Sequence, residues 1–506
     1  MIISKKQVLL ASIIIAIYAL ALNEWNVSLI KKDNPANATK NARSIVHNSA
    51  IFCIDNIWYV SQIKNYLNGN GFTVNPKMHN YTVRRTPAYP LFYGLHYSLF
   101  GEDKSYFFIR FTQILIYILA TFALFFAGFN FTADKRIAFF CAVLFAFSPT
   151  LVAFLYYTVT EAVSPSLVCF LLYYLSLCKI NNRKRDWFLV GVFFAIGSLC
   201  RPTIFFFGGS VFFALIIYSQ QIFRKVIING LFFCLGAGVF FIPYTIRNYI
   251  VTKGDFILLE KYYGDPMDYG MPNIELRKWI SCWMNPADYS SEIISNNMLS
   301  AICCDTTKAK EMVIENEIKR LPVRAFLVNN ESAIKEVYNA LYDYYQAKTN
   351  QASSAKIDSF EKICTLKISF LRRDFIQKAP LQYYIITPLL IVKSVIMQSN
   401  SSQLVFLDNY KGNYLKYGLK MILYFLNIYL FMAMIGGLAF IRKYSSIYWI
   451  VVLFILSNFI YIIFVIKYFE VRYLIPLFPC LYIAGAIFFV EMGTQIKKRL
   501  GFQIFH

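Results

Sequence analysis

The sequence predicts an all-α polytopic membrane protein of about 10 or more transmembrane helices, with juxtamembrane helices and an external helical region. Three observations predict it. The 506 residues are 58% hydrophobic and 18% aromatic with a mean hydropathy of +0.48, beyond what a soluble domain of this length carries. Apolar runs able to cross a hydrocarbon core of roughly 30 Å, which takes about 20 residues, recur along most of the chain. The basic residues gather at the ends of those runs and in one polar segment, where orientation and anionic lipid account for them. The formal net charge of +22 therefore does not point to nucleic acid, for which neither a binding signature nor a basic amphipathic arm is present. Eleven cysteines without CxxC or paired spacing indicate neither a disulfide framework nor a zinc site.

Taken in order, Lys5 and Lys6 precede an apolar run over 7–22, a first span that starts in the cytoplasm. Ala19-Leu20-Ala21 resembles a signal-peptidase site, so a cleaved signal peptide competes with the uncleaved anchor preferred here. Further spans are expected over 107–127, 137–149, 163–178, 187–200, 203–219 and 226–245, then 419–441, 447–467 and 473–492. Pro202 and Pro243 can each break a helix within a span instead of ending one, which leaves the count open. Orientation follows from charge. A cytoplasmic N-terminus puts Lys135-Arg136, the cluster Lys179, Arg183, Lys184 and Arg185, Arg224-Lys225, Arg442-Lys443 and Lys497-Lys498-Arg499 all inside. Both termini then face the cytoplasm of a plasma (inner) membrane, and the large polar segments face out.

The chain divides on this reading into a transmembrane catalytic module over 1–250, which includes a first external loop at 23–106, an external soluble and interfacial region over 251–418, and C-terminal transmembrane helices over 419–506. The external region holds soluble-type helices beginning near Thr307 and Glu331. Its last part, APLQYYIITPLLIVKSVIM, is interrupted by Pro388 and is expected along the outer interface. No internal repeat and no low-complexity segment is visible.

Asp55 stands directly ahead of a helix expected from 56 to about 68, closed by Asn68-Gly69-Asn70-Gly71, and fits its N-cap. Trp58, Tyr59 and Ile63 recur at helical spacing and give that helix an aromatic, lipid-facing side. A cap worth about 1 kcal/mol is by itself sufficient reason for the aspartate. The same topology, however, sets Arg84, Arg85, Arg201, Arg247 and Arg472 at external helix ends, from which the charge bias expels basic residues. All are arginine, and a guanidinium donates two parallel bonds to phosphate oxygens as an ammonium does not. The outer phosphate of a polyprenyl phospho-sugar is the natural partner. Snorkelling, or pairing with Glu161 or Glu470, explains any single arginine equally well. Glu161, at the outer start of a span, is a candidate second acid or an arginine counter-ion.

No P-loop, Rossmann fingerprint, GxSxG or HExxH is present. The four histidines are dispersed, and His47 and His79, which share the first outer loop with Asp55, read as solvated loop residues. The sequence requires no cofactor, and a divalent cation is not indicated.

In order along the chain, these features resemble the GT-C superfamily of integral membrane glycosyltransferases, especially the dolichyl-phosphate-mannose protein mannosyltransferases and the lipid A aminoarabinose transferases. The likeness runs through Asp55 and Tyr59, RRTPAYPLFYGLHYSLFG, Arg110 of FFIRF, Ser148-Pro149 with Glu161, Arg201 of SLCRPT, PYTIRNYIVTKGDF, KAPLQYYI and finally EVRYLIPLFP. The resemblance implies a catalytic base at Asp55, contacts to the lipid phosphate from Arg85 and Arg201, Tyr59 lining the site, and Arg472 nearby. The sequence departs from many relatives in pairing Asp55 with Asn56 where they carry two acids, which puts any dependence on a divalent cation in doubt.

The expected function is transfer of a sugar from a polyprenyl-phosphate donor to a glycolipid, glycan or protein acceptor outside the cytoplasm, with inversion in a single displacement. Asp55 and Glu161 are the catalytic candidates. Arg84, Arg85 and Arg201 would hold the donor phosphate, and Tyr59, Arg247 and Arg472 would line the pocket. A lipid transporter or flippase shares the spans and rim arginines, but such proteins place polar residues at the bilayer midplane and show paired halves. A polymerase or ligase of lipid-linked glycans would differ only in its acceptor.

Overall fold

The computed structural model describes residues 4–33, 45–47, 50–52, 54–76, 83–220, 222–261, 270–284, 298–299, 302, 309–401, 403–404, 407, 412–467 and 470–499. Helix α1 is Lys5–Asp33, running unbroken through Ala19-Leu20-Ala21. A three-residue hairpin follows, Ile45–His47 antiparallel to Ala50–Phe52, then α2, Ile54–Leu67. Helix α3, Ala88–Thr132, is kinked at Gly101, where φ is 75°, a left-handed setting that glycine adopts without steric cost. The expected span over 107–127 is thus the limb beyond the kink. Next come α4, Lys135–Ala146, α5, Ser164–Asn181, α6, Lys184–Cys200, α7, Phe207–Tyr218, and α8, Phe223–Val251. Pro243 lies inside α8 without ending it.

The chain continues through α9, Gly270–Trp283, α10, Lys310–Lys319, α11, Glu331–Thr349, α12, Ser354–Lys378, and α13, Thr387–Ile396. It closes with α14, Tyr414–Gly436, α15, Ile441–Ile460, and α16, Phe478–Arg499. Two compact units result. One comprises 1–261, 397–458 and 471–506, and the other 262–396 and 459–470.

Seven helical stretches among the described residues are long and apolar enough to cross a membrane, or eight if Ser354–Lys378 and Gln382–Ile396, bent by 93°, count as one span. The expected count of ten or more is not confirmed. Helix α6, with 17 residues, lies at the short end of what can cross a bilayer, and Pro202–Tyr218 is a shorter apolar helix that opens with a 3-10 turn. The two spans expected over 419–441 and 447–467 fall within one apolar stretch, Tyr414–Ile466, whose helices are joined by a 3-10 turn at Gly437–Phe440 and kinked at Tyr444, where φ is −126° and ψ 29°.

Within the first unit, α6 and α8 pack so closely that a Cβ on Gly236 would collide with the Phe188 carbonyl, the backbone approach that small residues permit between membrane helices. Helix α2 lies on the first limb of α3. There Val60, Ile63, Tyr89 and Tyr93 form a buried cluster with Ala162, Val163 and Cys200, so the start of α5 and the end of α6 meet under α2.

The second unit has its own core of Trp279, Trp283, Tyr338, Leu341 and Phe375. The Trp279 indole donates to Asn329 Oδ1 at 2.9 Å. The buried Glu275 carboxylate is held by Lys278 at 2.6 Å and Arg372 at 3.2 Å. Asn330 caps α11 by accepting from Ala333 N at 2.8 Å, as N-cap residues do.

Candidate active site

The site lies in the first unit and is built from helix ends. Asp55 occupies the first turn of α2, inside the helix instead of ahead of it, and its carboxylate is ion-paired with the Arg472 guanidinium. The helix end alone therefore does not hold it, because a partner 417 residues away in sequence does. Arg472 sits in a 3-10 turn, Val471–Tyr473.

Arg201 is presented by a chain break written in the sequence. Pro202 pushes the residue before it toward an extended backbone, and Arg201 has φ −141° and ψ 113°, ending α6 at Cys200. Its guanidinium, almost fully buried, binds Glu161 at 2.7 Å, donates to Thr160 Oγ1 at 3.1 Å and to the Arg472 carbonyl at 2.7 Å. Glu161 is fixed in a 3-10 turn, Thr160–Ala162, ahead of Pro165 near the start of α5, and also accepts from Thr160 Oγ1 at 3.0 Å. The Arg472 segment, Arg201 and Glu161 thus form one connected chain of contacts.

Tyr59, one turn after Asp55, joins it. Burial pushes its phenol up, and Arg85, Glu161 and Arg201 are its nearest charges. The Arg85 guanidinium lies 5.8 Å from the Tyr59 ring centroid and Arg84 is stacked 4.0 Å over Trp58, both within cation–π range. The backbone of Arg85 is anchored through its carbonyl, which accepts from Gln62 and from Tyr244 of α8, each at 3.4 Å.

Among the described residues, the Arg85 side chain makes no hydrogen bond or ion pair. Its Nε is buried without an acceptor. Arg201 and Arg472 already have carboxylates, and although Arg201 Nε is likewise buried without an acceptor, Arg85 is the one of these three with no carboxylate partner among the described residues. A buried donor left unmatched costs free energy that a ligand oxygen would recover.

Beside residues 87 and 88 an open apolar groove of about 610 Å³ runs between α2, α3, α6 and α8, lined by Phe72, Leu91, Leu199, Val239 and Tyr244 among others. Arg247 is on its wall, donating to the Phe72 carbonyl at 2.6 Å and to Asn248 at 2.9 Å. The structure thus brings Asp55, Tyr59, Arg85, Glu161, Arg201 and Arg472 together, sets Arg84 beside them, and gives Arg247 to the groove. Arg110 is anchored elsewhere, on Glu24 at 2.9 Å.

Sequence reasoning missed Glu260. The Lys261 amide donates to the Val83 carbonyl at 3.1 Å, laying the segment after α8 against the arginine pair, and the charges acting on Glu260 are Arg85, Arg201 and Arg84. Only this pairing of distant segments identifies it, since no motif surrounds the residue.

Fold and site together define an integral membrane protein with an arginine-rich, carboxylate-bearing pocket at its helix ends. Residues 84–246 match the family model described as dolichyl-phosphate-mannose-protein mannosyltransferase, which bears out the likeness to GT-C membrane glycosyltransferases carried by the motifs. None of the curated proteins matches. Among solved structures, the Archaeoglobus fulgidus oligosaccharyltransferase in complex with Zn and sulfate is similar with TM-score 0.47 and 10% identity, over 97% of this chain and 50% of that one. ArnT from Cupriavidus metallidurans bound to undecaprenyl phosphate is similar with TM-score 0.33 and 9% identity, over 97% of this chain and 80% of that one. This chain thus spans half the length of the oligosaccharyltransferase. At these TM-scores the structural likenesses add nothing to the argument, which rests on the family match and the site.

Proposed function

We propose that the protein is a membrane glycosyltransferase that takes a sugar from a polyprenyl-phosphate donor and passes it to an acceptor hydroxyl on the extracytoplasmic face, with inversion. The observation that carries this reading is the Arg85 guanidinium, free of anionic partners among the described residues and set beside Arg201 and Arg472, which carry carboxylates. The donor phosphate binds Arg85 with Arg201 and Arg84 beside it. The groove walled by Arg247 receives the start of the isoprenoid chain, whose apolar surface it matches. As the bond from the anomeric carbon to the phosphate oxygen breaks, charge grows on the leaving phosphate and the guanidiniums stabilise it.

Asp55 accepts the proton of the attacking hydroxyl, late in the displacement as that oxygen acidifies. Arg472 orients its carboxylate, Tyr59 lines the site, and Glu161 holds Arg201 in place. A lipid phosphate as leaving group removes the need for a nucleotide sugar outside the cell.

The test uses the full chain in proteoliposomes with a labelled polyprenyl phospho-sugar. Wild type should release label into an acceptor fraction. Asp55→Asn should abolish transfer while still binding donor, and Arg85→Ala should weaken donor binding without loss of expression. Near-normal turnover of Asp55→Asn rejects the base assignment. Movement of intact donor across the bilayer, with no bond cleavage, would instead establish a flippase.

A further inference from the structure

The three carboxylates near the arginines are not equivalent. Asp55 is committed to Arg472 and Glu161 to Arg201. The Glu260 side chain makes no hydrogen bond or ion pair among the described residues and is exposed. Crowding by the protein atoms around it pushes its carboxyl up, against the pull of Arg85, Arg201 and Arg84. Its position is fixed by backbone, through the Lys261 amide on the Val83 carbonyl at 3.1 Å. Arg85, the guanidinium without an anionic partner, in turn feels Glu260 more than it feels Glu161.

We propose that Glu260 is a specificity-determining residue of the phosphate site: set against Arg85, its charge makes the cluster favour a singly charged phosphodiester over a doubly charged phosphate monoester. The inference rests on the glycosyltransferase reading above. In that reaction the anomeric carbon exchanges its bond to the phosphate oxygen for a bond to the acceptor oxygen. The electron pair stays on the phosphate, and the acceptor proton passes to Asp55. Donor phosphodiester, with one negative charge, becomes a monoester carrying close to two at neutral pH.

Arg84, Arg85, Arg201 and Arg472 face Asp55, Glu161 and Glu260, which leaves the empty cluster one net positive charge. A phosphodiester neutralises it. The monoester product is neutralised only while its proton stays on Asp55, and once that proton leaves, the pocket is overfilled with negative charge. Glu260 thus penalises the product and favours its release, a step that limits many enzymes. Without the Glu260 charge the pocket would suit the dianion.

The experiment measures binding to the purified full chain in nanodiscs at pH 8, where the monoester is a dianion. The probes are undecaprenyl phosphate and its methyl ester, a phosphodiester that cannot transfer a sugar. Because repulsion scales with ligand charge, Glu260→Gln should tighten the monoester about tenfold and the diester about threefold, while Glu260→Asp should behave as wild type. Monoester inhibition of sugar transfer should strengthen in parallel. Equal changes for both lipids, no change, or weaker monoester binding in Glu260→Gln would overturn the proposal while leaving the glycosyltransferase reading intact, provided that wild type binds and Arg85→Ala does not. Wild type that binds neither lipid would overturn both.

Discussion

At the scale of single residues, the site is a set of paired charges beside the Arg85 guanidinium, which has no carboxylate partner among the described residues. The Arg201–Glu161 bridge at 2.7 Å is buried on both sides, so its partners depend on one another far more than surface ions do. Arg201→Ala should strand the Glu161 carboxylate and cost about 3–5 kcal/mol, read as a drop in melting temperature of detergent-purified protein. The double variant Arg201→Met with Glu161→Leu should regain most of that stability while transfer stays lost. Recovery of transfer by the double variant would remove Arg201 from the phosphate site. Sequence alone reached Asp55, Glu161, Arg85, Arg201 and Arg472, because acids and arginines at helix ends stand out against apolar runs. It offered Glu161 as an arginine counter-ion without saying for which arginine, because that depends on side chains from α2, the turn before α5, the end of α6 and the turn at Val471–Tyr473 meeting in space.

At the scale of elements, helix ends were the most legible features. The sequence marked Pro202 as a break or an end, and the structure makes it the end of α6 at Cys200; the helix expected near Glu331 starts there as α11. Gly236 was not legible. Nothing in its neighbourhood separates it from other glycines in apolar runs, and only the crossing of α6 over α8 gives it a task. Gly236→Leu should force those helices apart and cost about 1–3 kcal/mol. Because α6 ends in Arg201 and α8 carries Tyr244, which bonds the Arg85 carbonyl, the same variant should weaken binding of polyprenyl phosphate. Unchanged melting temperature and unchanged lipid binding would show that the crossing is more yielding than its geometry implies.

At the scale of the whole molecule, the second unit carries a pH dependence of its own. Lys467 is buried with its Nζ 2.9 Å from the Tyr383 ring centroid, and burial pushes its ammonium from 10.5 down to about 8. Between about pH 8 and 10.5 the folded unit therefore binds fewer protons than the unfolded chain, and its stability rises with pH. Below about pH 8 both states are protonated and the full penalty is present. Thermal unfolding followed by fluorescence of Trp279 and Trp283 should shift upward as pH rises through 8 to 10, and Lys467→Met should flatten that dependence. A melting curve equally steep in the variant would assign the effect to another group.

What the sequence by itself determined was what solvent dictates locally: long apolar runs mark membrane helices, and Pro202 marks the break after α6, whereas Pro243 lies inside α8. The helical class and the membrane character needed nothing more. Tertiary structure decided which charges share a pocket, that Arg85 has no carboxylate partner among the described residues, and that the segment ending in Lys261 lies against Val83. The physical reason is range. Hydropathy and backbone sterics act over a few residues and can be read along the chain, whereas Coulomb pairing acts through space between segments whose separation along the chain, 417 residues for Asp55 and Arg472, says nothing about their distance.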